Sequence, residues 1–281
     1  MFPADLAADT AVSPIPKLPG QYLSKLPDHW NYINPCGGVL LTLALRAMTR
    51  ELDGAGLSLL SATTAFCQPV LAGDVVIDVQ ILRKGDGAAQ LRASMQNRGQ
   101  LGPGLEVLAT FARDKTGPDV HGATMPDVPR PDAAVATRSR TGPERWSFYK
   151  NFDVALGVGE PMWEPGWKQG PSHVAFWYRY RVPQRDAAGL LDPLAIPPIA
   201  DSMPSALTRR LGPDHERFYM PSLDLSVFFI APTSSDWLLV ETFVERTRAG
   251  YAVGSATVWS EDGQLVARAA QAMTLRSLPR R

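Results

Sequence analysis

Only two of the 281 residues are cysteine, Cys36 and Cys67, and they stand far apart. That excludes a disulfide framework and suits a reduced, cytoplasmic protein in which both thiols act as small hydrophobes. Histidine is nearly as scarce. His29, His121, His173 and His215 are scattered, with no H-E-x-x-H pair, so no metal site and no cofactor is expected. Net charge is absent too, 28 basic residues matching 28 acidic ones. Neutralising phosphates takes clustered Lys and Arg, so nucleic acid is not an expected partner. The longest apolar run, Cys36 to Leu45, ends at Arg46 and is too short to span a bilayer. The opening stretch MFPADLAADTAVSP has no basic n-region, so no secretory signal is expected. Three motif classes are missing as well. There is no G-x-S-x-G elbow and no P-loop, and GVGEPM (157–162) lacks the third glycine of a dinucleotide fingerprint.

What is present is a repeat. One stretch begins at Leu59 and a second at Met220. Each starts with a strand ending at a proline, Pro69 or Pro232, and turns through a polar loop to Asp74 or Asp236. A strand rich in β-branched and apolar residues follows, then a glycine turn, then two further strands. This is the grammar of an antiparallel meander. A helix is predicted ahead of each. The first covers 37–52, with Leu41, Ala44, Leu45 and Met48 at helical spacing; the second covers 193–212, with Gly212 as a C-terminal cap. Pro204 sits badly inside a helix, so the second is expected to kink or to begin near Asp201. The reading is an α+β protein in which a sheet wraps a long helix, twice. Residues 115–145, rich in Pro, Gly, Asp and Thr, are expected to link an N-terminal unit (1–114) to a C-terminal one (146–281). FYKNFDVALGV and SHVAFWYRYRV read as the opening strands of the second unit; those of the first are less clear. The tryptophans of the intervening GEPMWEPGWKQGP are expected to cap something apolar.

The last strand poses a chemical question. Alternation puts Leu265, Ala267, Ala269, Gln271, Met273 and Leu275 on one face of LVARAAQAMTLR, and the charges on the other. The apolar face should be buried, yet it contains a glutamine. A buried amide without partners costs about 1–3 kcal/mol, so Gln271 needs a use or access to water at the sheet edge.

At this point the chain resembles the acyl-CoA thioesterase II family and its thioesterase-like relatives, which are double hotdogs. NPCGGVLLTLALRAM is similar to that family's FGG-type start of the first helix. AFCQPVLAGD is similar to its F-x-x-P-x-x-x-x-D strand and turn. IADSMPSAL resembles the segment carrying the catalytic aspartate, which implies Asp201. PSLDLSVFF resembles the strand with the catalytic hydroxyl, which implies Ser222. ARAAQAM resembles the terminal strand, which implies Gln271 as the catalytic amide. The resemblance runs from about residue 30 to the C-terminus. It implies hydrolysis of acyl-CoA, or a related acyl thioester, by two tandem hotdog units. The chain departs from the family in a long, Trp-rich segment at 161–177 and in Pro204.

The residues allow that chemistry. A carboxylate can take a proton from water while an amide and a hydroxyl orient water and carbonyl. Structural readings stand beside it. Asp201 could cap a helix beginning SMPSAL, and Ser222 could be an ordinary strand serine. Asp224, two residues on, is expected to share Ser222's face as a rival carboxylate. Gly37 and Gly38 could expose helix N-terminal N–H groups to a thioester oxyanion, or could simply allow close packing. The first unit has Thr110, Phe111 and Ala112 in the region corresponding to Gln271, hence no matching site. Two other functions stay open. One is a hotdog dehydratase or hydratase, though ADSMPSAL lacks a histidine after the aspartate. The other is a non-catalytic acyl-CoA or lipid binder. Exposed edge strands lead us to expect a homo-oligomer, a dimer of double hotdogs.

Overall fold

The computed structural model describes residues 4–136 and 146–278; the linker expected at 115–145 therefore lies partly outside the described residues. In chain order the elements are α1 (Leu6–Asp9), β1 (Ser13–Pro14), β2 (Gln21–Leu26), α2 (Gly37–Glu51), β3 (Ser58–Phe66), β4 (Gly73–Lys84), β5 (Ala88–Asn97), β6 (Leu105–Ala112) and β7 (Val135–Ala136). There follow β8 (Phe152–Val158), β9 (His173–Tyr180), α3 (Ile196–Ala200), α4 (Pro204–Leu211), β10 (Phe218–Tyr219), β11 (Asp224–Phe229), β12 (Leu238–Arg248), β13 (Tyr251–Ser260), β14 (Leu265–Thr274) and β15 (Arg276–Ser277).

Thirteen of the strands form one sheet in the order β1-β2-β4-β5-β6-β3-β11-β14-β13-β12-β9-β8-β7. Every neighbouring pair is antiparallel. The order β2-β4-β5-β6-β3 from one end matches β9-β12-β13-β14-β11 from the other, and the two runs join where β3 meets β11, Thr64 opposite Leu225. The opening strand hidden in the N-terminal sequence is thus β2. At the second opening, Ser147–Asn151 forms a 3-10 turn and only Phe152 onwards is strand.

The helices pack on one face of this sheet. The apolar residues of α2 are not confined to a stripe: Val39, Leu40, Leu43 and Ala47 are as buried as Leu41, Ala44, Leu45 and Met48. The sheet covers one side of α2, and the segment leading into α3 covers another, where Thr42 donates to the Leu194 carbonyl at 2.7 Å. A helix enclosed on most sides must be apolar most of the way round. Among the described residues no helix is long and apolar enough to cross a membrane.

The other face has a smaller core of its own, formed by Ala155, Ala175, Trp177, Leu239 and Trp259. Residues 115–134 form no helix or strand, yet Ala123, Met125, Val128 and Ala134 pack on that core. The Trp177 indole donates to the Pro129 carbonyl at 2.9 Å, and Arg130 donates to the Glu261 carbonyl at 3.0 Å. In the β8–β9 loop, Met162 and Trp163 pack against the main core, with Trp163 6.3 Å from the Phe176 ring.

Candidate active site

The site begins where the second helical segment breaks. Proline is tolerated only in the first turn of a helix. Pro197 accordingly opens α3 and Pro204 opens α4, leaving Asp201–Met203 between them. Asp201 ends α3, its own N–H donating to the Pro197 carbonyl at 3.2 Å. It does not cap α4, whose preceding residue is Met203 and whose start receives no side-chain hydrogen bond.

The carboxylate turns instead to the first helix. Oδ2 accepts the Gly38 N–H at 3.0 Å and the Cys36 thiol at 3.5 Å. Cys36 precedes α2 and offers that helix no side-chain cap, so a residue 163 positions away supplies it. The two glycines make room for this. A Cβ on Gly38 would lie 2.1 Å from the Pro197 carbonyl oxygen, and one on Gly37 would lie 2.7 Å from Phe66 and 3.0 Å from Asp201 Oδ2. The close packing proposed for these glycines is therefore present, against the second helical segment. The oxyanion role needs correcting for Gly38, because its N–H is already occupied by Asp201.

Ser222 donates to the other oxygen of Asp201, Oδ1, at 3.3 Å. A bulge aims it there. Ser226 pairs with Ala270 while Ser222 is bridged to Met273, so the β11 side has one extra residue. The regular pairing of β11 with β3 already holds at Asp224, so the irregularity falls just before it. Asp224 thereby lands on the face of exposed Phe228, not on Ser222's face as expected. Its Oδ1 accepts the Ala272 N–H at 2.7 Å, bridging the gap that the bulge opens.

Gln271 lies on the inner face with Ala269 and Met273, only 2% exposed, and neither amide atom has a hydrogen-bond partner. Its inner face is the one that Ser222, opposite Met273, also meets. The structure thus joins Asp201 and Ser222 directly and sets Gln271 one alternation along the neighbouring strand.

Burial dominates the electrostatics. It lifts Asp201 from the ordinary 3.8 to about 6, although Gly38, Cys36 and Ser222 all favour the anion. Burial, reinforced by Asp201, also raises the Cys36 thiol well above its ordinary value. Cys36 is thus a neutral donor to the site, which its reading as a small hydrophobe missed. An aromatic wall was missed as well. Tyr32 lies 4.5 Å from Phe148 and 5.5 Å from Tyr149, and Phe152 lies 5.7 Å from Tyr178. Burial pushes Tyr149 up to about 12, with Cys36 and Asp201 adding to the rise. The spacing of WSFYKNF gives no period by which to find this cluster; it assembles from the 3-10 turn and the loop before α2.

Two family models match the chain, "Acyl-CoA thioesterase N-terminal domain" over residues 26–112 and "Acyl-CoA thioesterase C-terminal domain" over 124–275. The chain belongs to the acyl-CoA thioesterase family. It is a thioesterase, and family membership implies an acyl-CoA substrate. No curated protein matches it by sequence. Solved structures place its fold among the hotdogs. A hot dog protein of unknown function from Alicyclobacillus acidocaldarius is similar with TM-score 0.80 and 20% identity, over 98% of each chain. The acyl-CoA thioesterase II TesB2 of Mycobacterium marinum is similar with TM-score 0.74 and 19% identity, over 97% of each. In this thioesterase the counterpart of Gln271 in the first half is not among Thr110–Ala112. Gln271 pairs with Gly254, and Gly254 with Val244 at the bulge of β12; the matching bulge of β4 pairs Ile81 with Leu91, and Leu91 pairs with Ala109. Ala109 is that counterpart, and it is apolar.

Proposed function

We propose that this thioesterase hydrolyses acyl-CoA by direct attack of a water molecule, with Asp201 as base. The matching strand orders support two tandem hotdog units, 1–114 and 146–281, joined by 115–145 and sharing one site. The water sits between the Asp201 carboxylate and the Gln271 amide. The amide oxygen accepts one of its protons, and the amide nitrogen donates to the thioester carbonyl oxygen. Asp201 takes the other proton as the oxygen bonds to the carbonyl carbon. The tetrahedral intermediate then collapses, breaking the C–S bond, and the proton passes from Asp201 to the departing thiolate. Ser222 holds Asp201 in position. The Gly37 N–H, like that of Gly38, favours the Asp201 anion, so the Gln271 amide nitrogen is our candidate for the oxyanion in place of Gly37.

The observation that carries this reading is the Asp201 carboxylate itself. It is 8% exposed, held by Gly38 and Ser222, and lifted to about 6, which suits a base working near neutral pH. The test is thiol release from a panel of acyl-CoAs by D201N and Q271A. Each should lose at least about a hundredfold in kcat. Turnover near wild type in both would overturn the assignment. Saturable acyl-CoA binding without turnover in the wild type would turn the reading to a binding protein.

A further inference from the structure

Thr64 is fully buried on the same face of β3 as Ala62, and its hydroxyl has no partner. Other fully buried threonines do not behave this way. Thr10 donates to the Leu6 carbonyl, Thr42 to Leu194 and Thr242 to Val174. A valine would fill the same space without an orphaned hydroxyl, so nothing in the packing calls for threonine. The strand order gives Thr64 a place relative to Gln271. Thr64 pairs with Leu225, and Leu225 stands beside Gln271, the second fully buried side chain whose polar atoms are unpartnered. Two strand spacings, roughly 9–10 Å between backbones, separate them on one face. On the far side of Gln271 the neighbour is Gly254, which leaves that place to Met203; a Cβ there would lie 3.3 Å from Met203 Cβ and 3.4 Å from its sulfur. An unbranched thioether can swing aside for a ligand more readily than a branched side chain.

We propose that Thr64 determines specificity: its hydroxyl bonds a hydroxyl or keto oxygen carried by the acyl group, a few bonds beyond the thioester carbonyl. This rests on the reading that Gln271 faces that carbonyl. The substrate class is then a polar-substituted acyl-CoA rather than a plain alkanoyl-CoA.

The probes are ketone analogues of hexanoyl-CoA in which a methylene replaces the sulfur, plain or hydroxylated at carbon 3, 4 or 5. They bind without being hydrolysed, and calorimetry reads the affinities. At least one hydroxylated analogue should bind wild type about tenfold more tightly than the plain one. T64V should lose that preference, T64S should keep it, and T64V should melt about 2–4 °C higher for want of the orphaned hydroxyl. T64A replaces T64V should the valine variant not fold. Wild type that binds no hydroxylated analogue better than the plain one overturns the proposal. So does a preference that survives in the variant lacking the hydroxyl. Failure of the catalytic reading shows elsewhere, as turnover retained in D201N and Q271A.

Discussion

Replacing Asp201 by asparagine should make the protein more stable, increasingly so as pH rises from about 4 to about 7. Burial raises the folded carboxyl from 3.8 to about 6. A gap of about two pH units corresponds to roughly 3 kcal/mol. The sign follows from proton counting. Between the two values the folded state binds a proton that the unfolded state has released, so stability falls as pH rises through that window. Below about pH 3 both states are protonated and the term vanishes; above about pH 7 the loss is complete. Asparagine does not titrate. Its oxygen can still accept from Gly38 while its nitrogen donates to Ser222. Urea denaturation of wild type and D201N at pH 4, 5, 6, 7 and 8 isolates the effect, because any fixed difference in packing cancels across the series. The stability of D201N relative to wild type should rise by roughly 2–2.5 kcal/mol from pH 4 to pH 8. A difference that stays flat would mean that Asp201 titrates at its ordinary value, and the argument for a tuned base would fall.

Further outcomes follow from the same geometry. The acid limb of kcat/KM should report Asp201, activity falling as pH drops through about 6. In S222A the carboxylate loses a donor at 3.3 Å; a bond that long sits at the weak end for a charged acceptor, so the limb should move up by about one pH unit. An unchanged limb would remove Ser222 from the site. G38A would press a methyl to 2.1 Å from the Pro197 carbonyl oxygen, a backbone atom that yields only if α2 or α3 moves. We expect thermal denaturation to show a loss of at least about 1–3 kcal/mol, whereas G122A, with open space around it, should melt like wild type.

The sequence revealed whatever depended on period and punctuation. Alternation in the last strand put Gln271 on the buried face, and Pro204 marked the helix break that frees Asp201. Pairing across strands was not legible. A one-residue bulge before Asp224 reversed its face, and no local pattern announces a bulge. Counting along β6 likewise led to Thr110–Ala112, whereas pairing through the matching bulges of β4 and β12 leads to Ala109. The partner of Asp201 was hidden for a different reason. Capping is normally a local affair, judged within three or four residues, and here the capped N–H lies 163 residues earlier in the chain.

That long-range cap is how the proposed base would stay usable although buried. Burial alone would drive Asp201 toward its neutral form, and a neutral acid cannot accept a proton from water. A helix N-terminus favours an anion, and Gly38 directs one of its N–H groups at Oδ2 while Ser222 and Cys36 donate to the same carboxylate. These donors oppose burial without overcoming it, which leaves the group near 6 instead of at either extreme. The balance needs α2 from the first half of the chain and α3 from the second at a separation that only glycine at 38 permits. Anything that parts those two helices should therefore raise the pKa of the base before it unfolds the sheet. In G38A the acid limb of the pH profile should accordingly move upward at temperatures where the fold is still intact, and a limb that stayed in place would show that the helix start does not tune the base.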